Sequence, residues 1–176
     1  MFDKQKFKSL VHYVCWRCSD DPTKLGSVKL NKSLWLSDLG AYYELGQPIT
    51  GARYIKRQFG PVPAPILPIL AELESEGVLT VRDTTHFGRQ KREYLVHQVA
   101  SSEFLSSAER EIVESMVTFV CEEHTASSIS EATHDHIWKA AADGEEIPHF
   151  TVFARPGAIT EDEREWARNE LDSARP

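Results

Sequence analysis

The stretch VKLNKSLWLSDLGAYYEL, residues 28–45, decides the fold of this chain. When it is drawn as a helix, its apolar side chains surround nearly the whole circumference. A helix that is apolar on all sides is usually buried at the centre of its domain. Gly46 follows at the position where a glycine in the left-handed conformation closes a helix. The sequence therefore predicts a central, buried helix that ends at Gly46.

An amphipathic helix is predicted ahead of the central one. Over residues 2–17, apolar side chains recur at helical spacing and lysines occupy the remaining faces. The apolar positions are Phe7, Leu10, Val11, Val14 and Cys18. The polar segment 19–23 contains Pro22, which ends this helix. Two helices therefore open the chain.

Prolines shape the segment after the central helix. A short extended piece is predicted over residues 52–57, and prolines follow at positions 61, 63, 65 and 68. Because proline fixes φ and lacks an amide donor, regular helix is excluded until the last prolines can occupy a first turn. We therefore predict a rigid turn at residues 60–62 and a short helix from residue 65 or 68 to residue 75.

A β-hairpin is predicted after this helix. Residues 78–81 and 93–96 are rich in β-formers, and the polar segment 83–92 between them is interpreted as the turn. The predicted order, three helices and then a hairpin, is also the order of elements in a winged-helix unit. A winged-helix arrangement is therefore one interpretation of the sequence. The fold class is mostly α: a single compact helical domain with a small β-hairpin.

The last part of the chain is predicted to be helical. Sequences typical of a capping box begin at Ser106, Ser128 and Thr160, each ahead of apolar residues at helical spacing. We expect one domain over residues 1–155 and a helical tail over residues 156–176 that packs on the domain or extends from it.

Charge is distributed unevenly along the chain, whose net charge is −7. Residues 1–50 and 51–100 each hold 7 basic and 5 acidic side chains, whereas residues 101–176 hold 6 and 17. A protein that coats nucleic acid non-specifically is therefore excluded, although a local basic face on the first hundred residues is compatible with this distribution. No stretch is apolar enough for a signal peptide or a membrane span, which predicts a cytoplasmic protein without membrane contact.

Residues that could carry chemistry do not form a recognisable pattern. Cys15 and Cys18 form a CxxC, but both lie late on the apolar side of a predicted helix, where packing explains them. His134 and His136 lack the spacing of a metal site, and His134 is better explained as a hydrogen-bonded tie between two helices. The chain has no nucleophile or phosphate-loop motif. We expect no enzyme activity, no metal and no cofactor.

A cationic strip is the candidate partner-binding surface. Its basic residues lie on predicted extended or loop backbone, and an aromatic side chain beside them is expected to supply affinity. The strip comprises Arg53, Lys56, Arg57, Phe59, Arg89, Lys91 and Arg92. Residues 64–77, where a recognition helix would fall, contain three glutamates and no lysine or arginine. DNA binding is therefore expected to be weak or absent. Alternatively, the strip is only a solvated charged surface. The partner would then be met by the acidic C-terminal third.

Three stretches together resemble the bacterial Panacea domain, the SocA-like antitoxin family that is often labelled phage-associated. They are KLNKSLWLSD (residues 29–38), PITGARYIKRQFGPVP (residues 48–63), and ISEATH with WK (residues 129–134 and 138–139). The resemblance extends over residues 7–150. Its matching residues carry over as fold markers, not as active-site residues: Asn31, Gly51, Tyr54, Gly60, Pro61, Val62, His134 and Trp138. Asn31 is expected to tie two elements together, and Tyr54 to bury its ring while its hydroxyl finds a partner.

The resemblance implies an antitoxin that neutralises a co-encoded protein toxin by stoichiometric binding. It also implies a second role seen in at least one relative, which hands its toxin to a protease such as an AAA+ protease. A homo-oligomer is compatible with the family. A winged-helix regulator of phage or mobile-element origin is the main alternative, and an undiscovered hydrolase or metalloenzyme is a remote one.

Overall fold

The computed structural model describes residues 1–86 and 88–154. Within them the chain forms six α-helices and two antiparallel strand pairs, which confirms a mostly α fold with small β elements. The elements are α1 (Lys4–Arg17), α2 (Gly26–Leu45), β1 (Tyr54–Arg57), β2 (Gly60–Pro63), α3 (Ile66–Ser75), β3 (Leu79–His86), β4 (Arg89–Val96), α4 (Ser107–Cys121), α5 (Ala126–Ala132), α6 (His136–Ala140) and a closing 3-10 helix (His149–Phe153).

Helix α2 lies at the centre of the domain, as its sequence predicts. Leu30 and Leu34 are completely buried, and α1, α4, α5 and both hairpins pack around the helix. Gly46 adopts a φ of 75° and its N–H donates to the carbonyl of Tyr42, which closes the helix. Only the last turn emerges, since Tyr43 is 62% exposed. Among the described residues, no helix combines the length and hydrophobicity that a membrane span requires.

The chain forms one hairpin more than the sequence predicts. Residues 60–62 are not a rigid turn: they belong to β2, which pairs with β1 so that Tyr54 lies opposite Pro63 and Arg57 opposite Gly60. The prolines are tolerated because β2 has a strand partner on one side only, where an edge strand can do without some amide donors. The turn of this first hairpin is therefore made by Gln58 and Phe59.

The second hairpin is longer than predicted. Most of the segment 83–92, predicted as a turn, is strand, and β3 pairs with β4 along eight residue pairs that bring Asp83 opposite Arg92. The Arg92 Nε lies 2.9 Å from the Asp83 carboxylate, so this charge pair stabilises the register across the strands. Polar residues here mark a solvent-facing ribbon rather than a loop.

Helix α3 follows Pro65 and carries Pro68 in its first turn, which confirms the predicted short helix that ends at residue 75. Its acidic side faces α1: Lys4 lies 2.5 Å from Glu72, and Lys8 lies 2.5 Å from Glu76. The helix that would read DNA in a winged-helix unit is therefore packed by its charged face against another helix of the same domain.

The capping predictions for the C-terminal helices differ in outcome. Ser106 caps α4 in a capping box with Glu109, as predicted. The predicted box at Ser128 is wrong, because Thr125 caps α5 and Ser128 is the third residue of that helix. The box at Thr160, the boundary at residue 155 and the tail over 156–176 lie outside the described residues.

Candidate partner-binding site

The structure brings part of the cationic strip together around the first half of α2. Arg57 and Phe59 lie at the end of the first hairpin, and Lys91 and Arg92 lie on β4 of the second. A cavity of about 510 Å³ adjoins Lys91 and Arg92, and one of about 120 Å³ adjoins Arg57 and Phe59. Ser27 lines both, as does its neighbour Val28. The two cavities therefore adjoin at these residues, and we call them together the inter-hairpin groove.

The inter-hairpin groove is lined by positive charge. Its basic residues are Lys24, Lys29, Arg57, Lys91 and Arg92. No aspartate or glutamate is among the described residues that line either cavity. The first turn of α2 points into the same groove without an acidic residue, and Leu25 at its N-cap gives no side-chain hydrogen bond. The helix dipole therefore adds to the positive potential of the side chains.

Lys91, Arg92 and Arg57 are held in place and stay at least partly exposed, whereas Lys29 is buried. Lys91 donates to the carbonyl of Thr23, and Arg92 is paired with Asp83 across the hairpin. Arg57 is exposed, with its guanidinium 4.0 Å from the Asp143 carboxylate. Each of these contacts uses only some of the available donors, because an ammonium carries three and a guanidinium five.

Phe59 adds an apolar surface to the groove. It lies in the turn of the first hairpin, its side chain is 57% exposed, and it lines the smaller cavity. Its backbone is fixed, since the carbonyl of Phe59 accepts a hydrogen bond from Ser130. A rigidly mounted aromatic side chain beside cations is the combination found at the centres of protein interfaces.

Arg53 and Lys56, two other members of the strip, lie outside the groove. Arg53 forms a 2.7 Å ion pair with Glu146. Lys56 donates to the carbonyl of Ala141 at 2.7 Å and lies over the ring of Trp138. Neither lines the groove. Lys56 holds the C-terminal segment to β1, and Arg53 holds it to the residue just before β1. The side chain of Arg89 lies outside the described part of the structure.

Part of the acidic third of the chain packs directly against the first hairpin. Residues 144–147 run along the free edge of β1, where the Lys56 N–H donates to the carbonyl of Glu145 and the Ile147 N–H donates to the carbonyl of Tyr54. Of its two carboxylates, that of Glu146 pairs with Arg53 just ahead of β1, and that of Glu145 accepts a hydrogen bond from the Ala142 N–H.

Residues of the third family-like stretch fasten the first hairpin. Trp138 donates its indole N–H to the carbonyl of Arg57 at 3.2 Å, and Ser130 donates to the carbonyl of Phe59. The ring of His134 stacks on Trp138 with 3.6 Å between centroids and lies 3.2 Å from the Ser130 hydroxyl. His134 thus links α5 to α6 as predicted, although it contacts α6 by stacking and not by a hydrogen bond.

Lys32 is the principal residue that the sequence analysis missed. It is 1% exposed, and its ammonium has no hydrogen-bond partner among the described residues. A Cβ on Gly60, whose φ is 117°, would lie 1.7 Å from the Lys32 Nζ. Burial lowers the pKa of Lys32 to about 8. Burial also lowers the pKa of His134, and the nearby Lys32 lowers it further. A charged residue within the apolar stretch 30–36 was the signal that could have identified it.

A buried polar cluster holds β1 against α2. Asp38 is completely buried and accepts hydrogen bonds from the Thr50 N–H at 2.7 Å, from the Thr50 hydroxyl at 2.5 Å and from the Tyr54 hydroxyl at 2.9 Å. Burial raises the pKa of Asp38 despite these bonds. Burial and the neighbouring Asp38 carboxyl also raise the pKa of Tyr54. Tyr54 therefore has the buried ring and the partnered hydroxyl that its sequence context predicts.

Two further family markers differ in their roles. Gly51 has a φ of 65°, and a Cβ there would lie 2.7 Å from the carbonyl oxygen of Met1, so glycine lets the N-terminal segment approach. The sequence predicts that Asn31 ties two elements together. Instead it is half-buried and lines the smaller cavity, and within the described residues its amide makes no such link. The tie is made by Asp38, seven residues further along the same helix.

The cysteines pack in the core, as expected from their place on the apolar side of α1. Cys15 and Cys18 are buried, and so is Cys121 at the end of α4. In the part of the chain that the structure describes, no three His, Cys, Asp or Glu side chains come together as metal ligands. The proximity of Cys121 to the CxxC was not visible in the sequence.

The structure is thus a mostly helical domain that carries a cationic groove between two hairpins. A model of the family described as "Antitoxin SocA-like, Panacea domain" matches residues 30–139, which is more than half of the chain. The chain belongs to this family, and the resemblance seen in its sequence is confirmed. The matched region contains α2 from Leu30 onward, both hairpins, α3 to α5 and most of α6. It includes Arg57, Phe59, Lys91 and Arg92 of the groove, whereas the groove residues 23–29 precede it.

Comparison of the chain with curated proteins gives no match. Comparison with solved structures gives none either.

Proposed function

We propose that this protein is an antitoxin that neutralises a protein toxin by binding it stoichiometrically through the inter-hairpin groove. Family membership supports the antitoxin role. The observation that carries the site is the convergence of Arg57, Phe59, Lys91 and Arg92 from two hairpins onto the uncapped start of α2. The partner is expected to present an acidic surface with an apolar side chain that packs on Phe59.

The first experiment is co-expression with the neighbouring open reading frame. If that product arrests growth alone, increasing amounts of this protein should restore growth in proportion to dose, and the two proteins should co-elute as a complex of fixed stoichiometry. Rescue by amounts far below those of the toxin would instead indicate turnover. A toxin that disappears faster when this protein and an AAA+ protease are both present would support the further role of a proteolytic adaptor.

The site is tested by a charge-reversal pair with a matched control. Arg57→Glu/Lys91→Glu should weaken rescue and slow complex formation, because both side chains line the groove. Arg110→Glu/Lys139→Glu changes the net charge equally at two exposed positions outside it and should rescue normally. Equal rescue by both folded variants would place the interface elsewhere, with the acidic C-terminal third as the next candidate.

The same proteins separate this function from DNA regulation. The cationic groove should give at most weak, salt-sensitive DNA binding, because α3 is packed against α1 and carries no basic side chain. The test is a band shift with the DNA upstream of the gene. A complex that survives moderate salt and is lost in Arg57→Glu/Lys91→Glu would favour a DNA-binding regulator instead.

A further inference from the structure

Two cysteines that are 103 positions apart in sequence meet at the base of a surface pocket. The Cys18 thiol donates to the sulfur of Cys121, with 3.3 Å between the two Sγ atoms. A disulfide needs the sulfurs about 1.3 Å closer than this. Cys18 is the C-cap of α1 and Cys121 is the last residue of α4, so both lie at helix ends, where small rotations disturb few backbone hydrogen bonds.

The pair is reachable by a small oxidant although it is mostly buried. A pocket of about 360 Å³ is lined by both cysteines, together with polar residues such as Arg17, Asp20 and Glu122. Cys15, by contrast, is 1% exposed and does not line it. Cys18 and Cys121 are 4% and 6% exposed, so the difference is that these two thiols adjoin the pocket and the Cys15 thiol does not.

The surroundings favour a thiolate at Cys121. The hydrogen bond from Cys18 lowers the pKa of Cys121, and the nearby Lys29 ammonium lowers it further. Lys29 is fixed in place by donating to the Cys121 carbonyl at 3.1 Å. Burial raises the pKa of Cys15, which keeps that thiol protonated and unreactive.

We propose that Cys18 and Cys121 form a reversible disulfide when the protein meets a peroxide, with Cys121 as the attacking sulfur and Cys18 as the resolving one. The Cys121 thiolate attacks one peroxide oxygen, the O–O bond breaks and hydroxide departs. Cys121 is then a sulfenic acid. The Cys18 sulfur then attacks the Cys121 sulfur and its proton leaves with the displaced hydroxide as water. Two thiols and one hydrogen peroxide give one disulfide and two waters. The bond would fasten the end of α1 to the end of α4.

Trypsin separates the three cysteines and makes the test direct. Cleavage after Arg17 puts Cys15 in peptide 9–17 and Cys18 in peptide 18–24, while Cys121 falls in peptide 111–139. The full chain is treated with mild hydrogen peroxide, unfolded, alkylated and digested without reductant. We expect peptide 18–24 linked to peptide 111–139, one alkylated thiol at Cys15, and three alkylated thiols after dithiothreitol. Unmodified thiols, or a link through peptide 9–17, would overturn the proposal.

Variants and isotope labelling complete the test. Cys15→Ala should still form the link. Cys18→Ser, which keeps a hydroxyl donor beside the Cys121 sulfur, should instead accumulate a sulfenic acid on Cys121 that dimedone traps. A folded Cys18→Ser variant without that adduct contradicts the proposed order of attack. In a mixture of ¹⁴N- and ¹⁵N-labelled protein, linked peptides should carry one label only. Mixed labels would mean that the bond joins two chains, which also overturns the proposal.

Discussion

Lys32 is a buried cation in a place that gives it little electrostatic support. Its ammonium has no hydrogen-bond partner among the described residues, and the Asp135 carboxylate only partly opposes the loss of hydration. A buried and unpaired charge costs free energy, which proteins reduce by shifting the pKa towards the neutral form. The lysine therefore destabilises the fold at neutral pH relative to an apolar side chain of similar length.

Replacing Lys32 by methionine should stabilise the domain in a pH-dependent way. Because the pKa of Lys32 is about 8 in the folded chain and that of an ordinary solvated lysine is 10.5, the unfolded chain binds more protons between these values. The stability of the wild-type protein should therefore rise with pH across this window relative to Lys32→Met. At pH 7 the variant should be more stable by up to about 3 kcal/mol, measured by urea unfolding. A gap that stays constant from pH 7 to about pH 10.5 would show that Lys32 is not the titrating group.

Gly60 is coupled to Lys32 by direct contact. Gly60→Ala should destabilise the domain by about 3 kcal/mol, because the new Cβ meets the Lys32 side chain and a φ of 117° is unfavourable for alanine. In a double-mutant cycle, Lys32→Ala should recover at least about 1 kcal/mol of this loss. Strictly additive unfolding energies would mean that the backbone conformation alone accounts for the cost.

The first hairpin is the element whose position depends most on distant parts of the chain. One edge of β1 is covered by residues 144–147, and the carbonyls of Arg57 and Phe59 accept hydrogen bonds from Trp138 and Ser130. The four-residue strands make too small a ribbon to be stable alone. The side of the groove that bears Phe59 is therefore fixed by α5 and α6.

Trp138→Phe should loosen this hairpin while preserving the stacked ring beside His134. Loss of the indole N–H leaves the Arg57 carbonyl without that donor and should cost about 1 kcal/mol. Hydrogen exchange should quicken over residues 54–63. Trp16→Phe, at a half-buried tryptophan on α1, is the control and should leave exchange in this hairpin unchanged. Equal protection in both variants would mean that α6 does not hold the hairpin.

The elements that sequence could predict are those specified by local signals. The apolar circumference of α2 with its glycine at position 46, and the capping box at Ser106, each act within one helix, and both are confirmed. The predictions of turns at the strand β2 and over most of residues 83–92 are wrong, because prolines and polar residues become strand only when a partner strand is present. The groove and the Cys18–Cys121 contact depend on packing between elements, which no local pattern contains.

At the scale of the whole molecule, charge is arranged by tertiary contacts more than by its order along the chain. The sequence suggests two separate faces, a cationic strip and an acidic third. In the structure, Arg53 pairs with Glu146, and Lys6 lies 2.6 Å from Glu109. Much of the opposite charge is thus paired within the domain. Around the groove, Lys91 forms no ion pair among the described residues, and the partners of Arg57 and Arg92, Asp143 and Asp83, do not line the groove, so its lining stays positive.

A local cationic groove on an acidic protein should reveal itself in association kinetics. The net charge of −7 repels an acidic partner at long range, whereas the groove attracts it within about 10 Å at moderate salt. Attraction at the groove speeds docking of correctly oriented partners and is screened by ions. With the neighbouring gene product as partner, the association rate constant should fall by about tenfold from about 50 mM to about 500 mM NaCl, while dissociation changes little.

The Phe59 side chain should affect the dissociation rate constant. Phe59→Ala should leave the salt dependence intact and speed dissociation by about tenfold or more, because a central aromatic contact contributes to short-range packing. Phe150→Ala, at an equally exposed aromatic on the 3-10 helix outside the groove, is the matched control. Stopped-flow association and chase dissociation measure the two effects separately. If both phenylalanine variants dissociate like the wild type, the partner does not rest on the first hairpin, and the groove loses its apolar anchor.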